Sequence, residues 1–169
     1  MKILAFVSLV VLSLTTVPAY SDKRPGGLQL VGEAQLDVLL WSVYRSQLYS
    51  PDGTYRADMR PLRLRITYLR DFKANALVKQ TEKEWQQLGR NHPNQEQWLA
   101  SLETLWPDIR SQDTLSLDLG EDEVSRFYHN DQLLGRITDP DFGEQFLAIW
   151  LSPNTSRPAL RRALIGGDS

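Results

Sequence analysis

Cysteine is absent from this chain of 169 residues, and histidine occurs only twice. The absence of cysteine excludes disulfides, thiolate metal ligands and a cysteine nucleophile. His92 and His129 have no second histidine at ligand spacing, so the chain has no metal-binding motif. A glycine-rich phosphate loop and a Gly-x-Ser-x-Gly nucleophile motif are also lacking. We therefore predict neither a metal nor another cofactor.

An excess of charge of either sign is lacking as well. The formal net charge is −2, and charged residues make up 24% of the chain. Nucleic-acid binding would require a basic face, which this balance does not supply. The length and composition are typical of one globular domain that is large enough to bury its own core.

Long apolar runs are lacking except at the start of the chain. Lys2 precedes the apolar run Ile3–Leu14, and small residues then lead to the charged residue Asp22. This order is typical of a secretory signal peptide, which would be cleaved after Ala19 or after Ser21.

The predicted signal peptide comprises residues 1–21, and the predicted mature domain comprises residues 22–169. The apolar run is too short for a stable membrane span, although an uncleaved membrane anchor is the alternative. We expect a soluble exported protein, with the periplasm as its destination, and no stable membrane span once the signal peptide is removed.

The clearest local pattern lies in Leu62–Tyr68, where apolar residues alternate with Arg63, Arg65 and Thr67. This alternation predicts a strand with one buried face. Apolar residues then recur at helical spacing through Ala74–Leu88, which predicts an amphipathic helix. We expect this helix to cover the sheet to which the strand belongs.

The remaining patterns predict an α+β fold, in which helices cover one side of an antiparallel sheet. Gly32 marks a bulge or a turn, Asn130-Asp131 suits a tight hairpin, and Asp139-Pro140 is typical of a helix start. Further strands are predicted at Leu28–Val31, Ala34–Leu40, Val43–Tyr49, Leu115–Leu119, Val124–His129 and Gln132–Ile137, and further helices from Trp98 to Trp106, Phe142 to Trp150 and Ser156 to Leu164.

Several short motifs between Leu30 and Leu164 carry a family resemblance through their order and spacing. They are Gly32-Glu33-Ala34, Val43-Tyr44, Leu48-Tyr49, Tyr68-Leu69-Arg70-Asp71, Phe127-Tyr128, Gly135-Arg136-Ile137, Asp139-Pro140-Asp141-Phe142, Phe146–Leu151 and Pro158-Ala159-Leu160-Arg161. Together they resemble the chalcone isomerase-like superfamily, and within it the bacterial exported branch. The resemblance implies an open-faced sandwich, in which a layer of helices backs a large antiparallel sheet and a ligand cleft lies between the two layers.

The catalytic positions of the family are not matched. Plant chalcone isomerases hold the developing phenolate with an arginine of the strand after the glycine motif, which corresponds to Leu36, or to Gln35 if the register shifts by one. The two threonine positions of the family fall at Tyr44 and Ile149, and Asp71–Asn75 lacks the expected tyrosine. A fixed cation at the oxyanion usually supplies the largest stabilising contribution in such catalysis. The resemblance therefore predicts no chalcone isomerase activity.

The resemblance also suggests a small apolar or fatty-acid-like ligand. Plant fatty-acid-binding proteins of this superfamily hold an acyl chain in the cleft, with arginine and tyrosine on its carboxylate. The matching arginine is again absent, so another cation would have to replace it. The candidate ligand-binding residues are Tyr44, Arg45, Arg65, Tyr68, Arg70 and Trp85.

Structural roles compete with these assignments. Arg63 and Arg65 could clamp an anion, but the solvated outer face of a sheet is the favoured interpretation. Arg70-Asp71 could orient a ligand, but such a pair more often ties a strand end to the next helix, whose N-terminus the aspartate would cap. Aromatic residues at strand and helix spacing are usually core, and Trp98, Trp106 and Trp150 are assigned to helix packing.

The favoured hypothesis is a non-catalytic protein that binds a small apolar or amphipathic ligand in the sheet–helix cleft. Two alternatives stay open: an isomerase or lyase that acts on another substrate with relocated catalytic groups, and a scaffold protein whose cleft is filled by its own side chains. A cavity of a few hundred cubic ångströms would favour the first two. A strongly perturbed titratable group inside it would favour the enzyme.

Overall fold

The computed structural model describes residues 27–167, so the predicted signal peptide lies outside the described residues. This part of the chain contains six strands and four helices. They are β1 (Gln29–Val38), β2 (Trp41–Ser50), β3 (Leu62–Tyr68), α1 (Ala74–Gln87), α2 (Gln95–Leu105), β4 (Thr114–Leu119), β5 (Ser125–His129), β6 (Gln132–Ile137), α3 (Pro140–Leu151) and α4 (Pro158–Leu164). None of these helices is long and apolar enough to cross a membrane.

The strands form one antiparallel sheet in chain order, from β1 at one edge to β6 at the other. The predicted pattern of β3 is confirmed, because Leu62, Leu64, Ile66 and Tyr68 are buried while the residues between them are only partly buried. Helices α2, α3 and α4 contact β6, β5 and β1, respectively. The fold is therefore α+β, a large antiparallel sheet backed by helices, as the sequence predicts.

The first two predicted strands, Leu28–Val31 and Ala34–Leu40, are in fact one strand. The register of β1 against β2 shifts between Leu30 and Gly32, so Gly32 lies at a bulge rather than at a turn. A Cβ atom at Gly32 would lie 2.7 Å from the carbonyl oxygen of Leu164 and closer still to that of Ala163. Glycine thus allows the backbone of α4 to approach the strand.

The predicted hairpin and helix start are both confirmed. Asn130 and Asp131 connect β5 to β6 with positive φ angles of 48° and 67°, the conformation that favours asparagine and aspartate in two-residue turns. At the start of α3, the Asp139 carboxylate accepts a hydrogen bond from the Asp141 backbone N–H at 3.1 Å. Proline at the first helical position completes this start signal.

The start of α1 differs from the expectation. Asp71 does not cap this helix, because its carboxylate accepts from the backbone N–H of Ser111 at 2.8 Å. The Ala74 backbone N–H donates instead to Asp108, which follows α2, at 3.0 Å. The capping carboxylate therefore comes from a distant segment that the local sequence does not indicate.

The core lies between the sheet and the helices, and aromatic rings join the two layers. Trp85 of α1 and Trp98 of α2 pack edge to face with ring centroids 5.9 Å apart. Phe142 of α3 contacts both of these rings and also Phe127 of β5. This cluster fills one part of the sheet–helix interface, and its member Phe127 borders a cavity in another part.

Candidate functional site

A cavity of about 350 Å³ lies between the sheet and helices α1 and α3. This volume is within the range of small-molecule pockets, near its lower end. Aliphatic and aromatic side chains form most of its wall, including Leu64, Ile66, Leu117, Phe127 and Ile149. The cleft is therefore not filled by its own side chains, which disfavours the scaffold alternative.

Tyr44 places a phenol group on the cavity wall. Its oxygen accepts a hydrogen bond from the indole Nε1–H of Trp150 at 3.0 Å, a contact that joins β2 to α3. Burial raises the pKa of Tyr44 to about 12, although the hydrogen bond from Trp150 and the charge of Arg157 act in the opposite direction. The phenol is therefore neutral at physiological pH, and its own proton remains available for donation.

Tyr68 places a second phenol beside the first, with the two ring centroids 6.1 Å apart. The two residues are paired across β2 and β3, and Tyr68 is 7% exposed. Burial raises the pKa of Tyr68 above its ordinary value, and the nearby Tyr44 raises this pKa further by a smaller amount. No hydrogen-bond partner of its hydroxyl is found between residues 27 and 167, so Tyr68 offers the cavity a second donor.

Arg157 is the cationic residue of the cavity wall. It is partly buried and occupies the N-cap position of α4, where its side chain makes no capping hydrogen bond. Within the described part of the chain, its guanidinium group forms no ion pair or hydrogen bond. A partly buried cation without a carboxylate partner is well suited to bind an anionic ligand group.

The segment that carries Arg157 is held in place from two sides. The Ser156 hydroxyl donates to Glu84 of α1 at 2.9 Å, and the Thr155 hydroxyl donates to the Ile149 carbonyl of α3 at 2.7 Å. The other carboxylate oxygen of Glu84 accepts from Gln80 at 2.8 Å. Because both of its oxygens accept hydrogen bonds, Glu84 serves to position this segment.

Of the six predicted ligand-binding residues, Tyr44 and Tyr68 line the cavity. Arg45 lies on the opposite face of the sheet, where its Nε–H donates to Gln35 at 3.2 Å. Arg65 lies on that outer face as well, and it forms an ion pair with Asp131 at 2.9 Å. Because the side chains of a strand alternate between the two faces, these arginines cannot share a face with the tyrosines beside them in β2 and β3.

Arg70 and Trp85 also lie outside the cavity lining. The guanidinium group of Arg70 stacks over the ring of Trp41, 4.4 Å from its centroid. Trp85 is 1% exposed, and its indole N–H donates to the Gln145 carbonyl at 2.8 Å. Trp85 is thus a core residue that joins α1 to α3. This agrees with the alternative interpretation, in which aromatic residues at helical spacing belong to the core.

The remaining arginine hypothesis concerns Arg63 and Arg65 as an anion clamp. Arg63 forms a bidentate ion pair with Asp118 on the neighbouring strand, and its guanidinium group lies 5.6 Å from the ring centroid of Tyr128. Since Arg65 is paired with Asp131 of the β5–β6 turn, each arginine has a carboxylate partner. The favoured interpretation, a polar outer face, fits this geometry.

The cavity-wall residues that were not predicted as ligand-binding include Trp106, Trp150 and Arg157. The two tryptophans have the helical spacing of core residues and were assigned to packing alone. The indole N–H of Trp106 is buried without a hydrogen-bond acceptor in the described part of the chain. The sequence contains one indication of a special role for Arg157. This arginine occupies the N-cap position before Pro158, where serine, threonine or aspartate is usual.

The positions that the resemblance aligns with catalytic residues of plant chalcone isomerases lie mostly on the cavity wall. Leu36, Tyr44 and Ile149 all line the cavity, whereas Gln35 lies on the outer face beside Arg45. Leu36 and Gln35 are the two positions that could correspond to the arginine of the plant enzymes. Of these two, only Leu36 has a side chain that faces the cavity. The Asp71–Asn75 segment contributes Phe72, an apolar ring.

A second cavity, of about 570 Å³, is larger but less suited to a ligand. Both of its arginines are already engaged: Arg60 with Glu123 at 3.3 Å, and Arg90 with the Gln145 side chain at 3.1 Å. The first cavity combines an apolar wall with unpaired donors and a free cation. We therefore take it as the candidate site.

Neither histidine lies in the wall of this cavity. His92 stacks on Trp98 with ring centroids 4.4 Å apart, and His129 lies 3.2 Å from an oxygen of Asp113. In residues 27–167, no group of three or more histidine, aspartate or glutamate side chains could hold a metal ion.

The family model of chalcone isomerase-like proteins matches residues 21–166, which is more than half of the chain. The chain belongs to the chalcone isomerase-like family. A relative from Haemophilus influenzae, described as an uncharacterized protein, is 30% identical over 138 residues, which cover 82% of this chain and 68% of the relative.

A solved structure of the chalcone isomerase-like fold has a similar backbone. It is a fatty-acid binding protein of Arabidopsis thaliana, with a TM-score of 0.66 over 83% of this chain and 88% of the plant chain. The identity between the two sequences is 12%, so the likeness concerns the fold.

The chemistry available in the cavity favours binding. The perturbed groups, Tyr44 and Tyr68, have raised pKa values, which move them away from the neutral range in which a general acid or base works best. Neutral phenols and an arginine can hold the acceptor atoms of a ligand headgroup, while the apolar wall contacts its chain.

Proposed function

We propose that this protein is exported and binds a small amphipathic, fatty-acid-like ligand in the cavity between sheet and helices. The observation that carries the proposal is the combination of an apolar wall with Tyr44, Tyr68 and Arg157. The two phenols donate hydrogen bonds to the carboxylate of the ligand, and Arg157 compensates its charge. The fatty-acid binding protein of similar fold supports this ligand class.

The volume of about 350 Å³ favours a single chain of short or medium length over a lipid with two chains. Leu64, Ile66 and Leu117 contact this chain from the sheet side. The ligand is held without a covalent step.

The first experiment is native mass spectrometry of the mature protein, purified from the compartment to which it is exported. Extraction under denaturing conditions then identifies any molecule that co-purifies. A fatty acid or another small amphipathic molecule is the expected result. A mass without ligand, together with no thermal shift across a panel of fatty acids, would contradict the proposal.

Variants assign the headgroup site. Arg157→Gln is expected to weaken carboxylate binding about 10- to 100-fold, because hydrogen bonds to charged groups are worth about 1.5–3 kcal/mol. Arg162→Gln is the matched control, since Arg162 is an exposed arginine of the same helix outside the cavity lining. Equal affinity of both variants would remove Arg157 from the site. A fatty alcohol of equal length should bind the wild type and Arg157→Gln with similar affinity.

Export is tested separately. We expect the protein in the periplasmic fraction, with a mass that corresponds to cleavage after Ala19 or Ser21. An uncleaved chain in the membrane fraction would contradict this part of the proposal and would support the anchor instead.

A further inference from the structure

The turn between β1 and β2 exposes several large apolar side chains together. Leu39 is 92% exposed, Leu40 is 97% exposed and Trp41 is 60% exposed, and the neighbouring residue Val38 is 42% exposed. We call Val38–Trp41 the hairpin tip. Exposed leucines are common singly, but a continuous group at the end of a projecting hairpin indicates an interaction surface.

The backbone adds a second indication. Leu39 has a φ of 56°, a left-handed conformation that glycine and asparagine adopt readily and leucine does not. A polar turn with glycine at this position would suit both the solvent and the backbone. Stability of the isolated fold therefore does not explain leucine at this position.

We propose that the hairpin tip inserts into the surface of a phospholipid bilayer. Leu39 and Leu40 enter the apolar boundary, and Trp41 lies at the level of the headgroups, where tryptophan is enriched. Arg70 stacks on Trp41 at 4.4 Å and has no ion pair or hydrogen bond within residues 27–167. Its guanidinium group is thus available to a lipid phosphate.

The size of the tip favours a bilayer over a protein partner. A stable protein interface takes about 20–30 residues from each side, whereas the hairpin tip comprises four residues. Insertion into lipid needs no complementary surface, since the acyl chains adapt to the side chains. We therefore assign lipid, rather than a second copy of the chain, as the occupant.

The tip also adjoins the ligand cavity. Leu36 and Val38 of β1 line the cavity, and Leu39 follows Val38 directly in the chain. A docked hairpin tip would therefore bring one wall of the cavity to the bilayer. This geometry suits exchange of an apolar molecule between the membrane and the protein.

The local charges predict how docking depends on the lipid. Asp37 lies on the same hairpin, and its carboxylate accepts from Gln35 at 3.0 Å. Its negative charge offsets the positive charge of Arg70. We therefore expect binding to zwitterionic vesicles as well as anionic ones, and only a small effect of salt.

The experiment is flotation of the mature protein with phosphatidylcholine vesicles, with and without phosphatidylglycerol. The test variant combines Leu39→Gly with Leu40→Ser, which suits the backbone of the turn and should leave thermal stability unchanged or higher. The wild type is expected to float with both vesicle types, and the double variant to lose at least about tenfold in partitioning. Leu133→Ser, at an exposed leucine of β6, is the matched control and should float as the wild type does.

Two further readouts separate the outcomes. Brominated lipids should quench tryptophan emission of the wild type, and Trp41→Phe should lose most of that quenching.

Failure of the wild type to float, or equal flotation of the double variant, would overturn the proposal. A wild-type dimer in sedimentation velocity that the double variant abolishes, without vesicle binding, would assign the tip to a second copy instead. Fatty-acid binding in free solution should be unchanged in the double variant, so that failure of the ligand proposal is detected separately.

Discussion

At the scale of single residues, two buried serines make opposite contributions to stability. Ser46 and Ser125 lie on strands and are 0% exposed. The Ser46 hydroxyl donates to the Ala34 carbonyl at 3.1 Å, whereas the Ser125 hydroxyl has no hydrogen-bond partner within residues 27–167. A buried hydroxyl that forms no hydrogen bond costs free energy, because it has lost its contacts with water.

We therefore predict that Ser125→Ala raises the free energy of unfolding by about 1 kcal/mol, and that Ser46→Ala lowers it by about 1 kcal/mol. Urea unfolding at neutral pH measures both changes. Equal destabilisation by the two substitutions would show that the Ser125 hydroxyl is satisfied in solution.

A second pair of residues tests close backbone approach. We predict that Gly32→Ala lowers the free energy of unfolding by about 2–3 kcal/mol, because the added Cβ would overlap the carbonyl oxygens of Ala163 and Leu164, which are backbone atoms. Gly135→Ala is the control. Its Cβ would meet the end of the Leu105 side chain, which can rotate away, so we expect a cost of about 1 kcal/mol or less. Urea unfolding of both variants measures the two changes in the free energy of unfolding. Similar changes would contradict the close approach of the α4 backbone to Gly32.

At the scale of elements, Asp139 connects the N-terminus of α3 with α2. Besides capping α3, its carboxylate accepts from the indole N–H of Trp98 at 2.9 Å and from the Asn94 amide at 2.7 Å. Burial alone would raise the pKa of Asp139, but these hydrogen bonds outweigh burial and lower it. The charged form of Asp139 is therefore favoured in the folded state.

Removal of this carboxylate should be costly. We predict that Asp139→Ala lowers the free energy of unfolding by about 2–3 kcal/mol, since the cap is lost and the buried Trp98 N–H loses its acceptor. Asp139→Asn keeps an acceptor oxygen and should cost about 1 kcal/mol. Urea unfolding at neutral pH compares the two, and equal costs would show that hydrogen bonding to Asp139 contributes little.

The same carboxylate predicts a pH dependence with a definite sign. A lowered native pKa means that Asp139 contributes stability above its unfolded pKa of about 3.9, and that this contribution is lost as the pH falls through the native pKa. The stability difference between wild type and Asp139→Asn should thus be complete at pH 7 and shrink below about pH 4. Urea unfolding across this pH range measures it. A difference that is constant down to pH 2 would contradict the assignment.

At the scale of the whole molecule, the aromatic cluster makes the two layers one cooperative unit. Trp85 and Trp98 of the helices contact Phe142, which also contacts Phe127 of the sheet. We predict one unfolding transition, with the same midpoint by tryptophan fluorescence and by far-ultraviolet circular dichroism. An earlier transition of the helices alone would show that α1 and α2 form a separate unit. A ligand bound in the cavity should shift both midpoints together.

Local patterns in the sequence determined most of the fold. The alternation in Leu62–Tyr68, the hairpin pair Asn130-Asp131 and the start signal Asp139-Pro140 each depend on neighbours within a few residues, and the structure confirms all three. The family resemblance is confirmed by the family model across residues 21–166. Of the six predicted ligand-binding residues, Tyr44 and Tyr68 line the cavity, whereas Arg45 and Arg65 lie on the other face of the same strands.

The polar end of the site depended on tertiary structure. Arg157 reaches the cavity because Ser156 is tied to α1 and Thr155 to α3, contacts between residues far apart in the chain. In the same way, Asp108 rather than Asp71 accepts from the first turn of α1, and the backbone of α4 leaves no room for a side chain at Gly32. Sequence periodicity reports the face on which a side chain lies, but only packing between elements decides which distant residue meets it there.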